Sequence, residues 1–72
     1  MSIFSNILRE KRIEKGLKQK DLAEELKISR TTVVALEQGT TEPNLKTLVA
    51  IADYFQITVD ELLGNAIREP VL

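Results

Sequence analysis

Residues 19–36 read QKDLAEELKISRTTVVAL, and the spacing of this segment decides the fold. Its apolar residues predict a short helix over about residues 19–26 and a second helix that begins after Ser29, which is a good N-cap. Val33 and Leu36 fall on one face of the second helix and are expected to be buried. A short helix, a tight turn and a second helix at this spacing predict a helix-turn-helix.

A first helix is predicted before this segment. Phe4, Leu8 and Ile13, with Ile7 beside them, keep an approximately helical spacing up to about residue 15. Gly16 then supplies the left-handed residue that commonly ends a helix. We therefore expect helix one to end at Gly16.

Two more helices are predicted after the segment. The most regular amphipathic stretch has apolar residues at steps of three and four, at Leu45, Leu48, Ile51, Ala52 and Phe55. Thr58 and Glu61 have the spacing of a capping box, which predicts a short fifth helix to about residue 63. No segment alternates long enough for a strand. The sequence predicts an all-α domain of five helices over residues 1–64, followed by a C-terminal tail, residues 65–72.

The composition excludes much chemistry. A chain of 72 residues is one small domain. Without Cys or His it has no Cys/His zinc site and no Ser/His or Cys/His nucleophile. Its three glycines stand too far apart for a phosphate-binding loop. We expect no metal, no cofactor and no enzymatic activity.

The charge is unevenly distributed along the chain. The net charge is -1, but residues 1–20 carry six basic side chains against two acidic ones, and the rest of the chain is acidic. A basic N-terminal stretch can face a polyanion, although such a stretch is often only a solvated helix face. No apolar run approaches the roughly 18 residues that span a bilayer, and the N-terminus lacks the pattern of a secretory signal. We expect a cytoplasmic protein that is not in a membrane.

An ordered set of residues runs from helix one to helix five. Its members are Leu8-Arg9, Arg12, Lys15-Gly16-Leu17, Gln19, Leu22-Ala23, Leu26, Ile28-Ser29, Val33, Leu36-Glu37-Gln38-Gly39, Pro43, Leu45, Thr47-Leu48, Ile51-Ala52, Phe55, Ile57 and Asp60-Glu61-Leu62-Leu63. With this set the chain resembles the Xre/Cro family of phage-repressor-like regulators over about five sixths of its length. The resemblance implies a compact lambda-repressor-like domain that binds a double-stranded DNA operator as a homodimer and regulates transcription, most often as a repressor.

Two positions depart from the family pattern. Lys18 stands where the family usually has a Ser or Thr N-cap, so a capping hydrogen bond of about 1 kcal/mol is expected to be lost. The lysine also lies at the positive end of a helix dipole, which favours a nearby phosphate. Lys27 stands where the turn usually has Gly, so a left-handed backbone there is expected to carry strain of about 1 kcal/mol.

The outward face of the third helix is the expected base-reading surface. The candidates are Ser29, Arg30, Thr31, Val34 and Ala35. Arg30 can bond guanine O6 and N7 in bidentate fashion, and a contact to a phosphate is the alternative interpretation. Val34 or Ala35 can touch a thymine methyl group.

The resemblance also assigns residues to the DNA backbone and to the protein interior. The matching backbone positions are Gln19, Gln38, Thr40 and Thr41, and Thr32 is added to them. Lys18 and Lys20 are further backbone candidates because of their charge and place, with solubility alone as the alternative interpretation. Arg12 and Glu37 match an internal ion pair that links helix one to helix three, for which a structural role is expected.

Dimerisation and a rival function remain open at this level. The candidate dimer interface is Leu62, Ala66, Ile67, Val71 and Leu72. A tail that merely frays is the alternative. The rival to DNA binding is a protein-interaction module or antirepressor on the same fold, which the net charge of -1 slightly favours.

Overall fold

The computed structural model describes residues 3–64, and these form five α-helices. The helices are α1 Ile3–Glu14, α2 Gln19–Leu26, α3 Arg30–Gln38, α4 Leu45–Phe55 and α5 Val59–Leu62. The described part of the chain contains no strand, and the predicted all-α, five-helix class is confirmed. The first helix ends at Glu14, two residues before the expected glycine.

Side-chain caps fix where three of the helices begin. Ser29 accepts a hydrogen bond of 3.0 Å from the Thr32 amide at the start of α3. At the start of α4, the Asn44 Oδ1 atom accepts a 2.8 Å hydrogen bond from an amide one turn on. Thr58 and Glu61 form the capping box of α5, with reciprocal hydrogen bonds of 3.0 and 3.1 Å. Since each cap satisfies an amide that the helix itself cannot, these residues set the helix starts.

The core lies where the five helices meet. Its fully or nearly fully buried apolar residues are Phe4, Leu8, Leu22, Ala23, Val33, Leu36, Ile51, Ala52 and Leu62. Ser5 is also buried, and its hydroxyl donates a 2.7 Å hydrogen bond to the Leu36 carbonyl. Helix α1 is therefore joined to α3 by packing and by a buried hydrogen bond.

Three residues differ in burial from the sequence-based expectation. Ile13 is 60% exposed, because it lies five residues after Leu8 and so points roughly 140° away from it around the helix. Leu45 is 74% exposed, because it is the first residue of α4 and precedes the part that packs inward. Leu62, expected at a dimer interface, is 0% exposed within the core. A side chain that its own domain covers completely has no surface for a second copy, so that assignment is wrong.

The turn between α2 and α3 is left-handed at Lys27. This residue has φ 60° and ψ 41°, and the amide of Ile28 closes the turn with a 3.0 Å hydrogen bond to Ala23. The expected left-handed lysine is confirmed. A second one was not predicted from the sequence: Gln56 ends α4 with φ 57°.

Candidate nucleic-acid interface

The surface around α3 carries most of the predicted site residues. Helices α2 and α3 pack against each other through Leu22, Ala23, Val33 and Leu36, all of which are buried. On the opposite side of α3, Arg30 and Gln38 are exposed. Within the described ranges, no neighbouring helix covers them. This packing leaves one side of the second helix of the helix-turn-helix open.

The N-terminal tip of α3 is held by Ser29 and Thr32. The Ser29 hydroxyl accepts from the Thr32 amide and also lies 2.8 Å from the Thr32 hydroxyl. Both hydroxyl groups are therefore already engaged with each other. Their first role is to fix the start of α3.

The other predicted base-reading residues differ in exposure. Arg30 and Thr31 are exposed, while Val34 and Ala35 are half-buried. Within residues 3–64, the side chain of Arg30 forms no hydrogen bond and no ion pair. Its guanidinium keeps all five N–H donors available for an outside partner. Val34 and Ala35 offer a partly covered apolar surface rather than a fully outward one.

Glu37, in the last turn of α3, is the centre of a buried polar network. Its carboxylate accepts hydrogen bonds of 2.6 and 3.0 Å from Arg12 Nε and Nη2, and the side chains are 3% and 14% exposed. Arg12 Nη1 donates a further 2.8 Å bond to the Leu17 carbonyl. The expected internal ion pair is thus present as a bidentate, largely desolvated contact.

Two more residues join this network. Gln19 Nε2 donates a 3.2 Å hydrogen bond to Glu37 Oε1. Arg9 Nη2 donates a 3.2 Å bond to the main-chain carbonyl of Glu37. Sequence reasoning listed Arg9 among the family matches but gave it no role, although its spacing of three residues from Arg12 places both arginines on one face of α1.

The side-chain amide of Gln19 is therefore already engaged in a hydrogen bond inside the protein. Its Nε2 group is bound to Glu37, while its main-chain N–H, at the first position of α2, has no partner inside the helix. Any anion at this end of α2 would meet that N–H and the neighbouring lysines first.

Lys18 and Lys20 lie at the start of α2 and are exposed. Lys18 has no side-chain oxygen with which to cap the helix, as expected. Asp21 provides half of a capping box instead, since its Oδ2 atom accepts a 3.0 Å hydrogen bond from the Lys18 amide. Within the described part of the chain, neither ammonium group forms an ion pair.

The loop after α3 presents the remaining polar candidates. Gln38, Thr40 and Thr41 are exposed. Gly39 ends the helix with φ 78°. The amide and the hydroxyl of Thr40 both donate hydrogen bonds to the Ala35 carbonyl, at 3.1 and 3.3 Å. The loop is thus attached to the end of the helix that precedes it.

Residues 3–64 were also searched for metal-binding clusters and for helices that could cross a membrane. Residues 3–64 contain no cluster of three or more metal-binding side chains, and no helix there has the length and apolarity to cross a membrane. The remaining dimer-interface candidates, Ala66, Ile67, Val71 and Leu72, lie outside the described residues.

Known proteins are similar to this chain in sequence. A helix-turn-helix family model matches residues 8–62. The transcriptional activator BcrR of Enterococcus faecalis is 42% identical over 62 residues, which are 86% of this chain and 30% of that protein. The cryptic phage CTXphi transcriptional repressor RstR of Vibrio cholerae is 30% identical over 89% of this chain and 58% of its own length. The chain thus spans about a third to three fifths of the length of such curated relatives.

Two solved structures give the same result for the fold. The P22 c2 repressor, in complex with a synthetic operator, superposes with a TM-score of 0.79 at 26% identity, over 90% of this chain and 97% of that one. A mutant of the restriction-modification controller protein C.Esp1396I gives a TM-score of 0.76 at 28% identity, over 92% and 90% of the two chains. The match of the family model over most of the chain, the relatives named as regulators and the shared five-helix fold lead to one conclusion: this chain belongs to the Xre-type helix-turn-helix family of DNA-binding transcriptional regulators, not to an enzyme family.

Proposed function

We propose that this chain binds double-stranded DNA sequence-specifically, with α3 in the major groove, and represses transcription from the operator it occupies. The observation that carries the proposal is the exposed tip of α3, where the Arg30 side chain forms no hydrogen bond or ion pair within residues 3–64. A major groove is wide enough to admit an α-helix, and an arginine is well suited to bond guanine there. Repression needs only occupancy of a promoter by the bound protein.

The same face offers contacts to the DNA backbone on both sides of α3. At the start of α2, Lys18 and Lys20 are exposed beside the unpaired main-chain N–H of Gln19. Helix N-terminal amides together with ammonium groups favour a phosphate. After α3, the exposed Gln38, Thr40 and Thr41 are placed in this proposal on the phosphates that follow along the groove.

We also propose a homodimer in the cytoplasm, where the operator DNA lies. One helix-turn-helix contacts only a few base pairs, and two joined units combine their binding energies. Ile3 and Leu63 are 61% and 39% exposed, so the described chain has apolar side chains outside its core that a second copy could cover. In this proposal residues 1–64 form the DNA-binding unit, and residues 65–72 form a tail that contributes to the interface.

A mobility-shift titration with a pool of random DNA duplexes tests the proposal. We expect binding at low salt that weakens steeply at moderate salt, with recovery of a preferred sequence after several rounds of selection. Thr31→Asp should abolish the shift, because it places a negative charge on the face that meets the DNA. Asn6→Asp adds the same charge at an exposed position on α1 and should bind like the unmodified protein.

The opposite result would favour the rival function. If the folded chain binds no duplex at any salt concentration, the fold serves as a protein-interaction module or antirepressor. Equal loss of binding in Thr31→Asp and Asn6→Asp would show that net charge, and not the α3 face, controls binding.

A further inference from the structure

A groove opens between the start of α1, the loop after α3 and the end of α5, and we name it the loop groove. Its volume is about 420 Å³, within the range of about 300–1,000 Å³ of pockets that hold a small ligand. Its apolar wall includes Ile3, which is 61% exposed, and Leu63, which is 39% exposed. The opposite wall carries the exposed side chains of Thr41 and Glu42. The groove therefore has an apolar side that its own domain leaves incompletely covered.

The C-terminal end of the described chain lies at the rim of the loop groove. Leu63 lines the groove, and Gly64 follows it with φ 83°. A Cβ atom at Gly64 would collide with the Cγ2 methyl group of Ile3, so the main chain passes directly against the start of α1. Both the left-handed backbone and this close approach require glycine. The tail, residues 65–72, therefore starts at the groove.

The tail is short, and this limits where its first apolar residue can lie. An extended chain spans at most about 3.6 Å per residue, so Ile67 lies within about 11 Å of Gly64, and Leu72 lies within about 29 Å of it. Pro70 cannot continue a helix and favours extended backbone for the residue before it. The sequence of the tail thus favours an extended segment that can follow the groove but cannot carry Ile67 away from it.

The charges of the groove and of the tail are complementary. Glu42 is exposed on the groove wall and forms no ion pair within residues 3–64. Arg68 is the basic residue of the tail and follows Gly64 by four residues, so it lies within about 14 Å of that glycine. An acidic wall and a basic residue tethered nearby fix a direction for the tail in the groove.

We propose that residues 67–72 dock into the loop groove of the domain that carries them, with Ile67 and Val71 on its apolar wall. Arg68 then lies beside Glu42. Contact with the apolar wall removes exposed apolar surface from water, which favours docking. A short tether gives an effective concentration on the order of millimolar, so the tail of the same chain competes well with that of a second copy.

The docking does not depend on the proposed DNA binding, but one of its consequences does. Thr41 lies on the groove wall and belongs to the loop that the proposed function places on DNA phosphates. A docked tail would contact this loop and restrict its movement. The outer side of the tail stays open, so docking extends the apolar surface around Ile3 and Leu63 that a second copy could cover.

Engineered disulfides test the docking, because the chain contains no cysteine of its own. Thr41→Cys is combined with Ile67→Cys or with Val71→Cys. The matched control replaces Thr41→Cys by Asp60→Cys, at an exposed position on α5 that lies outside the groove, one turn before Gly64 and within reach of an undocked tail. We expect at least one Thr41 pair to oxidise about tenfold faster than its control and to run as a monomer on a non-reducing gel, because docking holds the two sulfur atoms close together.

An exchange of charges tests the pairing of Arg68 with Glu42. Arg68→Glu, added to the faster Thr41 pair, should slow oxidation about threefold, because an exposed attraction becomes a repulsion. Addition of Glu42→Arg to that variant should restore the original rate, since the two charges are then opposite again.

The outcomes separate the docking from its alternatives. Equal oxidation rates of the Thr41 pairs and the Asp60 pairs would overturn the docking. Disulfide-linked dimers in place of monomers would also overturn it, since the groove would then hold the tail of a second copy. An unchanged rate in Arg68→Glu would overturn the pairing with Glu42. None of these measurements uses DNA, so a failure of the docking is distinguishable from a failure of the proposed DNA binding.

Discussion

Gln19 and Arg12 share one acceptor, the Oε1 atom of Glu37, at 3.2 and 3.0 Å. Glu37 belongs to α3, Gln19 is the first residue of α2, and Arg12 lies in the last turn of α1. One carboxylate thus connects the start of the helix-turn-helix with its end and with the helix that precedes it. The orientation of the proposed recognition helix therefore depends on polar contacts inside the protein that are separate from any contact with DNA.

Removal of this carboxylate should destabilise the domain strongly. Glu37→Ala leaves the guanidinium of Arg12 largely buried without its partner, at a cost of about 3–5 kcal/mol. This is a large share of the total stability expected for a small domain. A thermal melt should show unfolding at a much lower temperature, whereas Glu42→Ala, at an exposed position, should melt close to the unmodified protein. Equal melts for both variants would contradict the structural role of the pair.

Arg30→Ala and Lys18→Ala should weaken DNA binding in different ways. Loss of Arg30 should cost about 1–3 kcal/mol on the selected operator and relax the preference at one base pair of each half-site. Loss of Lys18 should weaken binding to all sequences alike and lower the salt slope by roughly one unit per protomer. In a dimer both effects occur twice, in half-sites about 34 Å apart.

Binding isotherms on operator and scrambled DNA at several salt concentrations measure both variants. If Arg30→Ala lowers both affinities by one common factor, the arginine contacts a phosphate. Base reading would then depend on Thr31 and Val34, because the Ser29 hydroxyl is engaged in the cap of α3.

The left-handed residues Lys27 and Gln56 should tolerate glycine. Both have φ near 60°, a conformation that costs a non-glycine residue about 1–2 kcal/mol. Replacement by glycine removes this cost, but part of the resulting stabilisation is offset because glycine loses more chain entropy on folding. Lys27→Gly and Gln56→Gly should therefore raise the free energy of unfolding by up to about 1 kcal/mol in urea titrations. The control Lys20→Gly, inside α2, should lower the free energy of unfolding by a similar amount. A lower free energy of unfolding in all three variants would refute the strain at the turns.

Truncation after Leu63 tests the contribution of the tail to the dimer. If the tail forms the contact, the shortened chain should sediment as a monomer and require far more protein to shift the operator. Replacement of Ile67 and Val71 by Asp in the full chain should have the same effect if apolar contact is the cause. If both chains sediment as dimers, the interface lies within residues 1–63, for which the exposed Ile3 is then a candidate. If both sediment as monomers, the proposed homodimer is refuted.

The helix boundaries were largely predictable because their signals are local. Ser29, Asn44 and Thr58 cap the helices that follow them, and Gly39 ends α3, through contacts that span only a few residues. Short-range hydrogen bonds of this kind depend on residue type and spacing, both of which the sequence contains. Helix type and order follow from the same signals.

Burial and shared polar contacts were harder to predict. Leu62 and Leu63 are adjacent leucines, yet one is completely buried and the other is 39% exposed, since the packing of a short helix on α1 and α4 decides which is covered. The ion pair of Glu37 was expected from the family resemblance, but the hydrogen bond from Gln19 was not. That contact depends on the angle at which α2 meets α3, which residue spacing does not specify.

The hydroxyl pair of Ser29 and Thr32 limits how this protein can be retargeted to new operators. Because these two side chains hold the first turn of α3, a library that randomises them would lose folded members before it explored new sequences. Arg30, Thr31, Val34 and Ala35 lie between or just beyond them and contribute no side-chain hydrogen bond to that cap. Diversity restricted to these four positions would change the reading surface on a constant framework.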